Sequence, residues 1–524
     1  MKLKYYVLGL VTACAFTSCN DDFLDRAPKD QLSDTSYWQS ADDAQKFANG
    51  IYHYLVQPEN HTIMTDCYTA NAIPVHVTAE QGQLSAGSAV STNPHFYQLW
   101  QEAYYGIRRC LIFQEFIGNV PMDETAKATL KAEVQFLEAF FYATLLKYMG
   151  GVPILDHTLA LGEEFPARST EEEVYTHIVN LLDAAAPKLP AIRSNADHGK
   201  ASAGACYALK ARVAYYAHKY DVAEAAAKAV MSTGAFGLAD HYQKLFFPEY
   251  EFSNEIIFDK EYTPNGPNWY EGNKILQFFA PVQFGGWEAL SPTQDMVDSY
   301  ECIDGLSIDE SPLYDPANPY ENRDPRLAFS ILWPGAEYDV VYYDSEPMTL
   351  TFSNQSMGDG SHTRTGYTMR KYLDPNEFPF RRRTETNFIY IRYAEVLLTY
   401  AEARNENLSA PDAEVYAAVN QVRQRPSVEL PALKAGMTKE EMREAIRHER
   451  RIELAFEGIH LFDTRSWKTT EEEVKRPVWG IGKDGQPMHI ETRSFNPNRD
   501  YLWAIPSHDV DLSNGVLKQN PNWD

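Results

Sequence analysis

The chain has 524 residues and a formal net charge of −26, with 73 acidic side chains against 47 basic ones. This excess of acid argues against nucleic acid as a partner, because no basic surface is available to displace counterions from phosphates. The length suffices for one large domain or two closely packed lobes. Aromatic residues make up 13% of the chain, which becomes important for the choice of ligand.

The N-terminus, MKLKYYVLGLVTACAFTSC, has the pattern of a secretory leader. Lys2 and Lys4 precede an apolar run at 5–16, and small residues lead to Cys19. We predict that residues 1–18 are a signal peptide and that Cys19 becomes the acylated first residue. Cys14 is an alternative, but its use would shorten the apolar run. No later stretch approaches 18 consecutive apolar residues, so we expect acyl chains alone to hold the protein to a membrane.

Residues 19–233 are predicted to be mostly helical. Ser40 is a suitable N-cap for a helix in ADDAQKFANGIYHYLV, and Ser169 or Thr170 begins a capping box with Glu172 or Glu173. Small and aromatic residues alternate on several of these segments, as in helix hairpins that stack closely. The sequence therefore predicts a mostly α fold, with a scaffold of helical hairpins similar to tetratricopeptide repeats.

Residues 234–387 have a different composition, which is rich in Pro, Gly, Asn, Asp and aromatic residues. Short apolar runs such as EIIF, MTLTF and YTMRKYL indicate brief strands or loops. A long irregular segment in a compact protein is usually functional, so we predict a loop-rich ligand-binding lobe here. Helices return in 388–524, in NFIYIRYAEVLLTYAEARNE, DAEVYAAVNQVRQR and TKEEMREAIRHERRIELAFEG, and YLWAIP is expected to form a short strand.

The sequence contains only weak matches to catalytic and metal-binding motifs. GIGKDG at 480–485 matches a dinucleotide fingerprint only in letters, because no helix is predicted after it. HERRI lacks the second histidine of a zinc helix. Four cysteines outside the leader have no metal-binding spacing, so buried free thiols are favoured over disulfides. They are Cys67, Cys110, Cys206 and Cys302.

One charged segment needs a structural explanation. Glu449, Glu453 and Glu457 are four residues apart and would stack on one helix face, where like charges repel. Because no nucleophile or metal spacing accompanies them, we predict a structural ion-pair network with arginines rather than an active site. Arg392 and Arg450 are assigned to this network, and Arg404 and Arg465 are further candidate partners.

Several segments together resemble the RagB/SusD family of nutrient-binding outer-membrane lipoproteins of Bacteroidetes. They include CNDDFLDRAPKDQLSDTSYW, YYGIRRC, LSPTQDMVDSYECIDG, NRDPRLAFSIL, HERRIELAFEGIHLFDTRSWK and YLWAIPSHDVDLSNGVLKQNPNW, in the expected order along the mature chain. The resemblance implies a helical scaffold under an irregular lobe, no catalysis and surface attachment through Cys19. It also implies a SusC-like TonB-dependent transporter as partner, with glycan as the ligand.

Aromatic rings and planar polar groups are what a sugar needs, since its C–H faces stack and its hydroxyls hydrogen-bond. Asp66 and Asn71, after the first helix, are predicted to supply polar contacts. The rings predicted to bind glycan are Trp269, Tyr270, Trp287, Trp333 and Tyr338.

Two other functions stay open at this stage. Some relatives bind peptides, so capture of oligopeptides is the first alternative, and a surface glycoside hydrolase is a weaker one because no pair of flanking carboxylates is evident. No cofactor is expected. A structural calcium ion in NPYENRDP is an open alternative, although the spacing is not that of an EF-hand.

Overall fold

The computed structural model describes residues 37–77, 80–160, 162–263, 272–341, 346–380 and 384–523. The first part of the chain is a series of helices, and the longest of them are those predicted from the sequence. Their bounds are α1 (Ala41–Ile51), α2 (Pro58–His61), α3 (Glu80–Ser85), α4 (Pro94–Phe116), α5 (Glu124–Met149), α6 (Glu171–Ala185), α7 (Ala203–Tyr216) and α8 (Tyr220–Ser232).

The predicted capping residues begin and end these helices. Ser40 accepts a hydrogen bond from the backbone N–H of Asp43 at the start of α1. Thr170 and Glu173 form both hydrogen bonds of a capping box at α6. Helix α5 ends at Gly150, whose φ of 73° is accessible to glycine without strain. Local sequence signals therefore fix where the scaffold turns.

The irregular lobe contains short helices and most of the strands. Its helices are α9 (Ile275–Phe279), α10 (Gln294–Ser299) and α11 (Pro325–Ser330). Each strand pairs with one antiparallel partner: β1 with β3, β2 with β8, β4 with β7, β5 with β6 and β9 with β10. The strands are β1 (Ala72–Pro74), β2 (Ile256–Lys260), β3 (Leu290–Pro292), β4 (Ile331–Leu332), β5 (Glu337–Val340), β6 (Met348–Thr351), β7 (Thr368–Met369), β8 (Phe388–Arg392), β9 (Val478–Ile481) and β10 (Pro487–Glu491).

The lobe also has a hydrophobic cluster of its own, separate from the main core. This cluster contains Leu276, Ala280, Phe284, Leu332, Ala336, Tyr338, Val340, Phe352, Leu373 and Phe378. The three apolar runs of the sequence account for β2, β6 and β7, so the predicted brief strands are confirmed.

The C-terminal helices complete the scaffold. They are α12 (Tyr393–Asn407), α13 (Ala413–Arg423), α14 (Lys439–Glu453), α15 (His460–Trp467), α16 (Thr470–Lys475) and α17 (Ser507–Leu512). Neighbouring helices from α4 to α8 pack in chain order, and α8 packs against α12, which contacts α13 and α14. Helices from both ends of the chain thus form one array, and the mostly α fold with a loop-rich lobe is confirmed.

Close approach between these helices depends on small side chains. A Cβ atom at Gly106 in α4 would lie 2.4 Å from the ring of Phe141 in α5. Such a distance is far below van der Waals contact, so the two helices could not pack this tightly with a larger residue. The alternation of small and large residues seen in the sequence therefore has its expected packing role.

Three local predictions are wrong. Phe388–Arg392 was assigned to a helix but forms β8, because this aromatic and β-branched run pairs with β2. YLWAIP is not a strand: the N–H of Trp503 donates to the carbonyl of Tyr148 and that of Ile505 to the side chain of Gln519. Glu457 does not continue the glutamate column, because α14 ends at Glu453.

Two further sequence expectations concern the membrane and the cysteines. Among the described residues, no helix has the length and apolar character needed to cross a bilayer. The leader and Cys19 lie outside the described residues. The predicted free thiols are confirmed, since Cys67, Cys110, Cys206 and Cys302 are buried and form no disulfide bond.

Candidate ligand-binding site

The glutamates of α14 lie inside the protein and face arginines. Glu449 accepts hydrogen bonds from Arg326 at 2.5 Å and from Arg423 at 2.9 Å. Glu453 contacts Arg326 at 2.9 Å and both Arg392 and Arg425 at 2.7 Å. Both glutamates are fully buried. The repulsion expected along this helix face is thus offset by cations brought from other parts of the chain.

The electrostatics of Glu453 follow from this arrangement. Burial alone would raise the pKa of its carboxyl, but the guanidinium groups of Arg425, Arg392 and Arg326 together hold that pKa well below its usual range. Glu457, just after the helix, accepts from Arg392 at 2.7 Å and from Lys371 at 2.5 Å. Burial lowers the pKa of Lys371 to about 8, although Glu457 opposes the shift.

The network also joins α14 to its neighbours. Arg450 pairs with Asp463 of α15 at 2.8 Å and lies 3.8 Å from Glu395 of α12. The predicted partners Arg404 and Arg465 do not reach the three glutamates: Arg404 pairs with Glu224 and Asp412, and Arg465 donates to a backbone carbonyl. Sequence reasoning missed Arg326, Arg423, Arg425 and Lys371, which come from distant segments.

The predicted glycan-binding aromatics are distributed over different places. Trp269 and Tyr270 lie outside the described residues. Trp287 is 49% exposed, and its ring contacts that of Phe278 with 4.9 Å between centroids. Trp333 is half-buried and stacks on Tyr320 at 4.6 Å. Trp287 and Trp333 thus contact different aromatic partners.

Three predicted residues have no surface to offer a sugar. Tyr338 is 1% exposed, stacks on Phe284 in the core of the lobe, and donates its hydroxyl hydrogen bond to the carbonyl of Leu373. Asp66 and Asn71 are fully buried and hydrogen-bonded to each other at 2.8 Å. We withdraw these three from the predicted site, because a ligand could reach them only by displacing the core.

A cleft of about 990 Å³, here called the first cleft, lies where the scaffold meets the lobe. It is lined from the end of α1, from α4, from the loop before α7, and from β2 and α9. Thr263 and Gly272, which also line it, flank the segment that contains Trp269 and Tyr270. Phe278 belongs to its wall and contacts the exposed ring of Trp287, which is not itself among the lining residues.

Aromatic rings and polar groups alternate along the first cleft. Tyr105 is 49% exposed, and its ring meets that of Tyr54 edge-on with 6.3 Å between centroids. Lys260 donates to the backbone carbonyls of His53 at 3.2 Å and Leu55 at 2.9 Å. The tyrosines were missed because they belong to the first helices, where an aromatic residue usually indicates core.

Two acids in the first cleft lack the partners that the buried network supplies. Glu102 has one buried oxygen, and Asp259 two, without a hydrogen-bond partner among the described residues. Burial raises the pKa of each carboxyl to about 7. The Nδ1 atom of His198 lies 3.6 Å from a carboxyl oxygen of Asp259. Burial likewise lowers the pKa of Lys260 to about 8.

No metal site emerges from the part of the chain that the structure describes. It contains no group of three or more His, Cys, Asp or Glu side chains arranged to hold an ion. In NPYENRDP, Arg323 donates to the carbonyls of Val297 and Tyr300, and Asp324 pairs with Arg326 at 2.8 Å. Calcium in this region stays a prediction.

The structure thus combines a helical scaffold, a loop-rich lobe and a wide cleft that is lined in part by tyrosine rings. The sequence profile of the SusD family matches residues 254–523, and a profile described as starch-binding associating with outer membrane matches residues 22–215. The first of these covers more than half of the chain. The chain therefore belongs to the SusD family.

Individual relatives support this assignment over the full length. A SusD-like protein of Formosa agariphila is 25% identical over 547 residues, covering 99% of this chain and 100% of that protein. A SusD-like protein from Bacteroides fragilis has a similar structure, with a TM-score of 0.83, 29% identity, and coverage of 94% and 99% of the two chains. A SusD-like carbohydrate-binding protein from the same species gives a TM-score of 0.82, 26% identity, and coverage of 92% and 99%.

Proposed function

We propose that this protein is a non-catalytic surface lipoprotein that binds oligosaccharide or polysaccharide in the first cleft. It would pass the glycan to a SusC-like TonB-dependent transporter in the outer membrane. The observation that carries the proposal is a wide cleft that combines the exposed ring of Tyr105 with the half-buried carboxyl of Glu102, and whose wall residue Phe278 contacts the exposed ring of Trp287. A relative of 26% identity, described as carbohydrate-binding, supports the class of ligand.

The chemistry of the first cleft suits a sugar better than a charged ligand. Tyrosine and tryptophan rings present flat apolar faces on which the C–H groups of a pyranose can stack. Glu102 is half-buried and lines the cleft, so its carboxyl can accept from hydroxyl donors, whereas Asp259 is buried. Lys260 is committed to two backbone carbonyls and offers little to an anion. Weak contacts of this kind, repeated along a chain of sugars, would give reversible capture.

Attachment and transfer rest on the sequence and the family. Cys19 is the proposed acylation site, which would tether the body at the outer membrane, in agreement with the family description "associating with outer membrane". A SusC-like transporter is the proposed recipient, because a protein that holds a glycan outside the cell without degrading it needs a route for uptake.

The decisive experiment is a glycan array probed with the mature chain. We expect the wild type to bind at least one neutral polysaccharide, and the Trp287→Ala and Tyr105→Ala variants to lose most of this signal. Leu512→Ala is the matched control, because Leu512 is a 68% exposed apolar residue outside the residues that line the cleft. A parallel assay for reducing ends should show no release of sugar from the bound polysaccharide.

Other outcomes would redirect the proposal. Release of reducing ends that disappears in Glu102→Gln would indicate a hydrolase, since a carboxyl with a pKa of about 7 could act as a general acid. Binding of oligopeptides but not of glycans would favour the peptide alternative. Glycan binding that neither cleft variant changes would contradict the site.

A further inference from the structure

A second cleft, of about 760 Å³, lies between the lobe and the β9–β10 hairpin. The lobe contributes α10 and the loop that leads to α11, and the hairpin contributes the other wall. The residues that line this second cleft differ from those that line the first. The proposed function does not use this space.

The second cleft carries exposed and half-buried rings. Trp479 is 42% exposed, and its cross-strand neighbour His489 contacts it edge-on, with 5.4 Å between ring centroids. On the lobe side, Tyr320 is half-buried and stacks on Trp333, which fixes the orientation of its ring. Trp333, predicted from the sequence to contact glycan, therefore packs against Tyr320 and does not itself line this cleft.

Polar groups lie beside these rings in the second cleft. The hydroxyl of Tyr367 donates to Gln294 at 2.6 Å and lies 3.3 Å from the hydroxyl of Tyr320. Asp298 accepts one hydrogen bond, from Gln294 at 2.8 Å, and no ion pair is seen for it in the described part of the chain. Burial raises the pKa of this carboxyl, as it does for the acids of the first cleft. Asp298 thus retains acceptor capacity for a hydroxyl donor.

The cations of the second cleft are already engaged. Arg323 donates to the backbone carbonyls of Pro319, Val297 and Tyr300. Arg476 lies 3.4 Å from Asp295. Arg493, also in the wall, donates to carbonyls that follow α2. Three acids, Asp295, Asp298 and Glu473, line the same cleft as these three arginines, so the lining has no formal excess of positive charge to favour an anion. A neutral ligand rich in hydroxyls would find rings and an acceptor.

The wall formed by the hairpin is held close to the lobe. A Cβ atom at Gly480 would lie 2.3 Å from the carbonyl oxygen of Thr365, so only glycine permits this approach. The N–H of Ile481 donates to the same carbonyl at 2.7 Å. At Ile481 this edge of β9 is therefore already occupied by the lobe, which disfavours the addition of a peptide strand there.

We propose that the second cleft is a further carbohydrate site, which binds a neutral oligosaccharide against the rings of Trp479 and Tyr320 with Asp298 as hydroxyl acceptor. This goes beyond the proposed function, which requires only the first cleft. Two sites on one molecule would hold a polysaccharide at two points and so slow its dissociation.

Calorimetric titration of the mature chain tests this inference. The probes are soluble starch oligosaccharides and laminarin oligosaccharides, each short enough to occupy one site. We expect two sites per molecule in the wild type, one in Trp479→Ala, one in Trp287→Ala and none in the double variant. Asp298→Asn, which keeps the shape of the side chain, should weaken the second site about tenfold. The melting temperature of Trp479→Ala should match that of the wild type, because the ring is partly exposed.

Each other outcome has a definite meaning. A single wild-type site that only Trp287→Ala removes would overturn the second site and leave the proposed function standing. A single site that only Trp479→Ala and Asp298→Asn affect would support the second site and contradict the first. A wild-type chain that binds neither probe would contradict both.

Discussion

The buried charge network and the first cleft both contain acidic and basic side chains, but only in the network are the acids paired with arginines. In the network, Glu453 has three arginine partners and its pKa is held far below its usual range. In the cleft, Glu102 and Asp259 have unpaired oxygens and pKa values of about 7. Arginines neutralise the buried carboxylates of the network, whereas burial leaves the two carboxyls of the cleft without such partners.

The largest effect is expected from breaking the network. In Glu453→Gln, three buried arginines lose their shared counter-charge, so the free energy of unfolding should fall by about 3–5 kcal/mol. Urea denaturation monitored by circular dichroism measures it. Glu471→Gln is the control, because its partner Lys475 is exposed and the pair should contribute less than about 1 kcal/mol. A loss below about 1 kcal/mol in Glu453→Gln would show that the network does not stabilise the fold.

Asp259→Asn should raise the free energy of unfolding, in contrast to Glu453→Gln. The folded-state pKa of Asp259 is raised above its unfolded value, so the folded protein binds the proton more tightly and wild-type stability declines between about pH 4 and pH 7. The variant should therefore gain about 1–3 kcal/mol over the wild type near pH 8 and little near pH 4. Thermal melts across this range measure the difference. A variant that is less stable at pH 8 would mean that this carboxylate is satisfied after all.

Trp287→Ala tests whether an exposed ring acts on binding and not on folding. We expect glycan affinity to fall about tenfold by calorimetry. The unfolding free energy should change by less than about 1.5 kcal/mol, since about half of the side chain is exposed and its ring contact with Phe278 is a single aromatic pair. Equal affinity of Trp287→Ala and wild type would remove Trp287 from the site.

The smallest effect is expected at a buried tyrosine. Tyr338→Phe deletes the hydroxyl that donates to Leu373 and should lower the unfolding free energy by about 1 kcal/mol. Glycan affinity should not change, because the ring is inside the lobe. Weaker binding at unchanged stability would mean that Tyr338 does reach the ligand.

The scaffold could be predicted from the sequence because its signals are local. Caps at Ser40 and Thr170 act within three residues, and the free cysteines follow from spacing alone. Interactions between distant segments were harder to anticipate. Arg326 lies 123 residues from Glu449, and nothing near either residue indicates the other.

The aromatic residues show even more clearly that packing between distant segments is hard to predict from the sequence. Tyr338 and Trp287 both lie in irregular sequence, yet one is in the core of the lobe and the other is half exposed. Trp479 was overlooked because it lies in a hairpin near GIGKDG rather than in the lobe. Whether a ring faces solvent depends on which segments pack over it, and this is a property of the tertiary structure.

The most direct test is to measure two free energies, of unfolding and of glycan binding, for Glu102→Gln near pH 8. At this pH the wild-type carboxyl, with a pKa of about 7, is largely ionised in a partly buried place. Our account predicts equal or greater stability and weaker glycan binding in the variant. Lower stability with unchanged binding would contradict it, because Glu102 would then be one more structural charge.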